Sequence, residues 1–161
     1  MDIESNINEK FVELLKEKGL KAATAESLTG GLVSKRITEI SGASQVFECG
    51  VCSYSNRIKH EVLGVPLEVL EKYTEYSAET AVSMAEGIRR LSGADIGIST
   101  TGMAGPTGDD VGLVYIGIST EKHTFAKELH LSDGSPDERE KIRWLASSYA
   151  IGYALEEIEK L

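Results

Sequence analysis

The stretch "TAESLTGG", which ends at Gly31, places hydroxyl side chains directly before two glycines. Ser27 is a candidate nucleophile, and Thr29, Gly30 and Gly31 are candidate substrate-binding residues. Glycine lets a ligand approach the backbone closely, and helix N-termini favour anions, so such a loop could hold a phosphate or a carboxylate. Spacing alone equally allows a structural interpretation, in which the glycines form tight turns and Ser27 or Thr29 caps a helix.

A second stretch of this kind, "TTGMAGPTGDD", contains Thr101 and Gly102. Both stretches follow a predicted strand, and ligands of open α/β sheets bind outside the carboxyl ends of strands. Neither stretch has the GxxxxGK[ST] or GxGxxG spacing, which weakens nucleoside triphosphate and dinucleotide interpretations. The two loops therefore predict where a small ligand binds, but not which ligand it is.

Three candidate catalytic residues lie between the loops: Ser44 before a predicted strand, Tyr54 at its end, and Lys59 just beyond. A lysine that acts as a base must lose its proton near neutrality. Its pKa must then fall from about 10.4 to roughly 7 or 8, at a cost of about 4 kcal/mol supplied by burial or a cationic neighbour. The alternative is that Lys59 is solvated, Ser44 caps a turn and Tyr54 belongs to the core.

Hydrophobic periodicity predicts that alternating helices and strands position these residues. Helices are predicted over 5–18, from the first loop to 40, over 58–63, over 66–73, from a cap at Ser77 to 91, and from a capping box "SPDE" almost to 161. Strands are predicted up to 23 and over 46–54, 94–101, 111–120 and 124–131. The last two strands are close enough for an antiparallel hairpin, so we expect an α/β fold, a single-domain α/β/α sandwich with a mixed β-sheet.

Composition limits the class of protein. A chain of 161 residues with 41% hydrophobic residues is long enough for one well-packed core, so one domain over 1–161 is expected. The net charge is −9 and the basic residues form no sustained patch, which argues against nucleic acid or an anionic membrane as the main partner. No apolar run is long enough to span a membrane and no signal peptide is evident, so we expect a cytoplasmic protein.

The cysteines and histidines predict neither a metal site nor a redox pair. Cys49 and Cys52 form a "CGVC" inside a predicted strand, where residues three apart point to opposite faces. No second cysteine pair exists and the three histidines are scattered along the chain. Buried or bystander thiols are therefore the expected outcome.

Five linked motifs carry a resemblance that covers nearly the whole chain. "TAESLTGG", "YSNRIKHEVLGV", "YSAETAVSMAEGI", "GADIGISTTGMAGPTG" and "VGLVYIGI" resemble, in order and spacing, the CinA C-terminal domain family. This family comprises the nicotinamide-mononucleotide deamidases, also called PncC, and the chain looks like its stand-alone form. The resemblance implies hydrolysis of nicotinamide mononucleotide to nicotinate mononucleotide and ammonia in pyridine nucleotide recycling. It also implies a homo-oligomer that uses no metal or organic cofactor.

The resemblance also implies roles for the catalytic candidates. Lys59 and Tyr54 match the lysine and tyrosine of the family motif Y-[ST]-N-x-x-K, while Ser44 and Ser27 match two family serines. The family is thought to use a Ser and Lys pair, in which a neutral lysine takes the proton of the attacking serine. We favour Ser44 as the nucleophile with Ser27 orienting Lys59, and the reverse assignment stays open.

The remaining residues that the resemblance implicates are predicted to bind substrate. Thr101 and Gly102 match the T-G of the second loop, and Arg139 matches an arginine at the start of the last helix, with Arg143 as an alternative. Two departures keep other functions open: Leu28 stands where the family often has Cys, and the second loop is shorter than usual. The alternatives are a non-catalytic nucleotide-binding or regulatory module and an amidase for a related amide.

Overall fold

The structure is a computed structural model that describes residues 5–161. Within this range the chain forms six α-helices and five β-strands. The helices are α1 (Ile7–Lys18), α2 (Leu32–Thr38), α3 (Asn56–Glu61), α4 (Leu67–Tyr73), α5 (Ala78–Ser92) and α6 (Arg139–Ile158). The strands are β1 (Ala22–Glu26), β2 (Phe47–Cys52), β3 (Ile96–Gly102), β4 (Leu113–Ser119) and β5 (Thr124–His130). None of the helices in the described range is long and apolar enough to cross a membrane.

The five strands form one mixed sheet in the order β2-β1-β3-β4-β5. Strand β1 pairs in parallel with both β2 and β3, whereas β4 is antiparallel to β3 and to β5. The predicted α/β fold with a mixed sheet and a final hairpin is confirmed. Because β1, β2 and β3 are parallel, their last residues Glu26, Cys52 and Gly102 lie along one border of the sheet, here called the carboxyl edge.

Helices cover both faces of the sheet. On one face, α1, α2 and α6 share a core with the sheet that includes Phe11, Val33 and Ile142. On the other face, α5 packs on the sheet through residues such as Met84 and Ile88. This division follows the side-chain alternation of β1, in which neighbouring residues face opposite layers.

Helix α5 lies unusually close to the sheet because small residues face it. A Cβ atom at Gly97 would lie 2.2 Å from the carbonyl oxygen of Ala85, and one at Gly117 would lie 2.3 Å from that of Ala81. The hydroxyl of Ser99 donates to the Ala81 carbonyl oxygen at 2.6 Å. These contacts fix the height of α5 above the sheet, and with it the segment that leads into this helix.

The structure corrects two predicted boundaries. Strand β1 continues to Glu26, beyond its predicted end at Ala23, because this central strand pairs with a neighbour on each side. The predicted capping box is wrong: α6 begins at Arg139, and the Ser135 hydroxyl donates to Asp133 at 2.6 Å instead of capping the helix. The predicted cap of α5 is confirmed, since the Ser77 hydroxyl accepts from the backbone N–H of Thr80.

Candidate functional site

Ser27 and Lys59 meet at the carboxyl edge. Ser27 directly follows β1, and its backbone N–H donates to the carbonyl oxygen of Thr100 in β3 at 3.0 Å. Lys59 lies on α3, which begins four residues after β2. The Lys59 Nζ lies 3.1 Å from the Ser27 Oγ and 3.3 Å from the carbonyl oxygen of Tyr54. The structure therefore forms a Ser and Lys pair between two neighbouring parallel strands.

The environment of Lys59 favours a neutral amine. Its side chain is only 1% exposed, so the interpretation of Lys59 as a solvated residue is wrong. Burial lowers the pKa of Lys59 below its ordinary value of 10.5, and the negative charge of Glu75 partly opposes this decrease. A lysine with a lowered pKa beside a serine hydroxyl can serve as a general base.

A buried carboxylate shapes the loop that presents Ser27. Glu26 accepts hydrogen bonds from the Thr29 hydroxyl at 2.7 Å, from the Val33 N–H at 2.7 Å, and from the N–H and hydroxyl of Ser34 at 3.0 and 2.7 Å. The carboxylate thereby satisfies N–H groups at the start of α2 that would otherwise lack partners. Glu26 is thus a structural residue that fixes the turn after β1.

Thr29, Gly30 and Gly31 also shape this turn. Thr29 is fully buried, and its hydroxyl is hydrogen-bonded to Glu26 and to the Thr100 hydroxyl. Gly30 and Gly31 adopt left-handed conformations with φ of 59° and 101°, which glycine tolerates best. None of these three residues lines the two cavities described next, so the structure agrees with the structural interpretation of the glycines and does not place Thr29 as a ligand contact.

Two adjoining cavities open at the carboxyl edge. The serine cavity, of about 320 Å³, contains Ser27 and Lys59 in its lining. The loop cavity, of about 310 Å³, follows the second glycine loop to Arg139. Four residues line both cavities and so join them: Leu28, Tyr54, Tyr76 and Gly102. Tyr54 is 65% exposed, which shows that it is not a core residue.

Thr101 and Gly102 have different positions at this site. Thr101 is fully buried, and its hydroxyl donates to the carbonyl oxygen of Glu75 at 2.6 Å, so it lines neither cavity and fixes the segment before α5. Gly102 lines both cavities. A Cβ atom at Gly102 would lie 2.4 Å from the Leu113 carbonyl oxygen, so the close approach of β3 and β4 leaves no room for a side chain.

The structure distinguishes the two candidate arginines. Arg139 lines the loop cavity, donates to the Tyr54 hydroxyl at 3.3 Å and is hydrogen-bonded to the Gly105 carbonyl oxygen. Arg143, one turn further along α6, instead donates to the carbonyl oxygens of Leu28 and Thr29 at 2.9 and 3.2 Å. Arg139 is therefore the arginine that a ligand can reach, and Arg143 holds the first loop in place.

Ser44 is not part of this site. It lies in a short 3₁₀ turn (Ala43–Gln45) that precedes β2, whereas α3 and Lys59 follow β2. The strand has six residues, which separates the two positions by roughly 20 Å at about 3.3 Å per residue. Ser44 lines a separate cavity with Thr38 and Phe47. Within one chain Ser44 cannot reach Lys59, so the preferred pairing of Ser44 with Lys59 is corrected: the serine that contacts Lys59 is Ser27.

Five residues that line the serine cavity were not predicted from the sequence as site residues: Leu28, Ser55, Asn56, Glu75 and Tyr76. Asn56 belongs to the same Y-[ST]-N-x-x-K motif as Tyr54 and Lys59, so the motif could have indicated that it lies at the site. Glu75 and Tyr76 lie between two helices and follow no strand, so the rule about carboxyl ends of strands could not find them.

The cysteines form no site in the structure. Both thiols are free; Cys49 packs on the α5 side of the sheet and Cys52 lies near Gly31 on the α2 side, as strand alternation requires. Cys52 is exposed and Cys49 is half-buried, so of the two expected outcomes Cys52 corresponds to a bystander thiol and not to a buried one. Among the side chains of residues 5–161, no group of three or more His, Cys, Asp or Glu could hold a metal ion.

Comparison with known proteins places the chain in a family. Residues 4–158 match the family model described as the CinA C-terminal domain. The chain belongs to the CinA C-terminal domain family. A CinA-like protein of Kosmotoga olearia is 44% identical over 154 residues, which cover 93% of this chain and 36% of that protein. A relative in Thermoanaerobacter sp., named a competence-damage inducible protein, is 49% identical over 144 residues, which cover 87% of this chain and 34% of that protein. The chain thus spans about a third of the length of these curated relatives.

Solved structures of CinA proteins have the same fold. The competence/damage inducible protein CihA from Agrobacterium tumefaciens matches with a TM-score of 0.86 and 32% identity, over 97% of this chain and 99% of that one. The competence damage-inducible protein A from Klebsiella pneumoniae matches with a TM-score of 0.90 and 26% identity, over 96% of each chain. The mixed sheet and its helices are therefore those of the CinA C-terminal domain.

Proposed function

We propose that this CinA C-terminal domain hydrolyses the carboxamide of nicotinamide mononucleotide to give nicotinate mononucleotide and ammonia. The observation that carries the proposal is the contact between the Ser27 Oγ and the Nζ of the buried Lys59, at 3.1 Å, beside an open cavity. A domain that only binds a nucleotide has no need of a lysine whose pKa burial lowers, placed beside a serine hydroxyl.

In the first half of the reaction, Ser27 is the nucleophile and Lys59 is the base. The neutral Nζ of Lys59 takes the hydroxyl proton while the Ser27 Oγ bonds to the carboxamide carbon. The resulting lysine ammonium then gives a proton to the departing nitrogen. The carbon–nitrogen bond breaks, ammonia leaves, and the acyl group remains on Ser27 as an ester.

The second half repeats these proton transfers with water. Lys59 takes a proton from a water molecule whose oxygen attacks the ester carbon. Lys59 then returns that proton to the Ser27 Oγ as the ester bond breaks, which releases nicotinate mononucleotide and restores both residues. The lysine is thus neutral at the start and at the end of each half.

The backbone after the nucleophile can stabilise the oxyanion of both tetrahedral intermediates. The N–H of Leu28 has no acceptor among the described residues, whereas the N–H of Gly30 donates to the Ser27 carbonyl oxygen at 3.1 Å. Leu28 lines the serine cavity next to Ser27, which makes its N–H the preferred donor. A donor in this position contributes about 3 to 4 kcal/mol in known enzymes.

The loop cavity offers a place for the rest of the nucleotide. Arg139 lines this cavity and not the serine cavity, and guanidinium groups bind phosphate with two parallel hydrogen bonds. The ribose would then lie beside Gly102, which lines both cavities. Together the two cavities accept a substrate with a carboxamide at one end and a phosphate at the other.

The test is ammonia release by the purified protein from nicotinamide mononucleotide, measured beside nicotinamide and NAD. We expect release from the mononucleotide in wild type and none from a Ser27→Ala variant. Absence of release from all three compounds, together with binding of nicotinamide mononucleotide, would support a non-catalytic nucleotide-binding module instead. Release from another amide alone would place the activity on that amide.

A further inference from the structure

The segment Thr74–Tyr76, between α4 and α5, adds an acidic and an aromatic side chain to the serine cavity. Thr74 has φ of 65°, which makes it the one non-glycine residue with positive φ among residues 5–161. Its carbonyl oxygen accepts from the hydroxyls of Ser77 and Thr80 at 3.0 and 2.7 Å. Backbone strain of this kind persists only where surrounding contacts hold it, and it is common at ligand sites.

Hydrogen bonds to β3 and α3 also hold this segment at the site. The Glu75 carbonyl oxygen accepts from the buried hydroxyl of Thr101, at the end of β3, at 2.6 Å. The Glu75 carboxylate accepts from the Asn56 Nδ2 at 3.2 Å. Burial raises the pKa of Tyr76, and the negative charge of Glu75 adds to this increase. Glu75 is therefore an anchored carboxylate and not a mobile surface acid.

The serine cavity has an unusual combination of lining groups for an amide substrate. Two tyrosines, Tyr54 and Tyr76, line it together with the Glu75 carboxylate. Neither catalytic residue needs this acid, because Lys59 must be neutral in order to act as a base. Aromatic faces next to a carboxylate are the arrangement that recognises organic cations without hydrogen-bond donors.

We propose that Glu75, with Tyr54 and Tyr76, selects substrates whose carboxamide lies on a positively charged N-substituted pyridinium ring and discriminates against uncharged rings. This inference rests on the proposed function, in which the ring of nicotinamide mononucleotide is such a cation. Free nicotinamide has a neutral ring at neutral pH and would lose this attraction. Glu75 is thus a specificity-determining residue.

The two cavities then match the charge order of the substrate. Glu75 lies in the serine cavity, where the ring cation is placed, and Arg139 lies in the loop cavity, where the phosphate anion is placed. Asp109 lines the loop cavity but not the serine cavity, so its carboxylate provides a matched control. Electrostatic complementarity of this kind mainly determines which ligand is bound.

The first test compares two ligands that differ in ring charge. Nicotinamide mononucleotide carries the pyridinium, whereas its reduced form carries an uncharged dihydropyridine with the same carboxamide, ribose and phosphate. Calorimetric titration of a Ser27→Ala variant, which cannot form the ester, gives both dissociation constants. We expect the cationic ligand to bind about tenfold more tightly, as for opposite charges in a partly desolvated site. Equal affinities, or tighter binding of the reduced form, would overturn the proposal. This test therefore needs no variant of Glu75.

The second test removes the carboxylate charge alone. Adding Glu75→Gln to the Ser27→Ala variant removes the charge but keeps an acceptor oxygen for Asn56. The affinity for the cationic ligand should fall about tenfold, whereas the affinity for the reduced ligand should stay within about twofold. Adding Asp109→Asn instead should leave the ratio of the two affinities unchanged. Equal weakening of both ligands by Glu75→Gln would show a merely structural role, and an unchanged ratio would show no role; both results contradict the proposal.

The two proposals fail in different ways. If wild type releases no ammonia from nicotinamide mononucleotide but the preference for the cationic ring depends on Glu75, the proposed function is wrong and the ring selectivity stands. If wild type is active but Glu75→Gln leaves the preference intact, only the selectivity is wrong.

Discussion

Replacement of Lys59 by Met is expected to abolish most of the activity while making the fold more stable. Met keeps most of the length of the lysine stem and fills nearly the same volume, and Lys59 is only 1% exposed. Removal of the base should lower kcat for nicotinamide mononucleotide by a factor of about 10² to 10⁴, with a small change in KM. Loss of the amine also removes a polar group that is costly to bury.

The size of the stability gain follows from this burial. Replacement of a buried ion pair by apolar residues of similar volume is often neutral or stabilising by about 1 to 4 kcal/mol, and for the single amine of Lys59 we take the lower half of that range. Each kcal/mol changes the melting temperature of a chain of this size by about 2 to 4 °C. We therefore expect the Lys59→Met variant to melt a few degrees above wild type near neutral pH.

The gain should depend on pH in one direction. Burial lowers the pKa of Lys59 in the folded protein below the ordinary value of 10.5. Between these two pKa values the unfolded chain binds more protons than the folded one, so wild type gains stability as the pH rises. The advantage of Met is then largest below the lowered pKa and becomes smaller as the pH approaches 10.5.

Melting temperatures of wild type and Lys59→Met, measured over a pH series beside ammonia release, test this reasoning. Lys122→Met is the matched control, because Lys122 is exposed and forms no ion pair among residues 5–161, so its replacement should change the melting temperature little at any pH of the series. A lower melting temperature for Lys59→Met at every pH, or a difference that does not change with pH, would show that the buried amine is not destabilising. Near-normal turnover would refute Lys59 as the base.

Further predictions concern the roles of single residues. Ser27→Ala should abolish turnover, and its effect on kcat should not add to that of Lys59→Met in the double variant. Ser44→Ala should leave kcat within about twofold of wild type, and comparable losses of kcat for both serine variants would show that Ser44 takes part in the mechanism. In steady-state kinetics, Arg139→Ala should raise KM more than it lowers kcat. In thermal melting, Arg143→Ala should mainly lower the melting temperature. Glu75→Gln removes the charge that raises the pKa of Lys59, so the acidic limb of the kcat/KM profile should move to lower pH; no shift would mean that the two groups are not coupled. Activity should persist in EDTA, and loss on chelation that a divalent ion restores would contradict the proposed chemistry.

The sequence alone predicted the elements and the edge of the sheet at which the site lies. Hydrophobic periodicity and turn residues are local signals, so the mixed sheet, the final hairpin and the cap at Ser77 could be predicted from them. The rule that ligands bind outside the carboxyl ends of strands directed attention to the loops around Ser27 and Gly102. Lys59 was a candidate for its chemistry, but its burial could not be predicted, because the sequence does not show what packs on α3.

Only the tertiary structure decided among residues that the sequence left equivalent. Ser44 and Ser27 both lie near a predicted strand, but Ser44 precedes β2 and Lys59 follows it, so the direction of one strand separates them. Arg139 and Arg143 lie four residues apart on one helix face, and only their partners show that one faces the cavity and the other holds a loop.

Glu75 could not be assigned at all from local patterns. The close approach of α5 to Gly97 and Gly117, and the hydrogen bond from Thr101, bring its segment to the carboxyl edge. These contacts join residues far apart in the chain, at distances that depend on how layers pack. Local sequence therefore determines which chemistry is available, whereas long-range packing determines which groups meet.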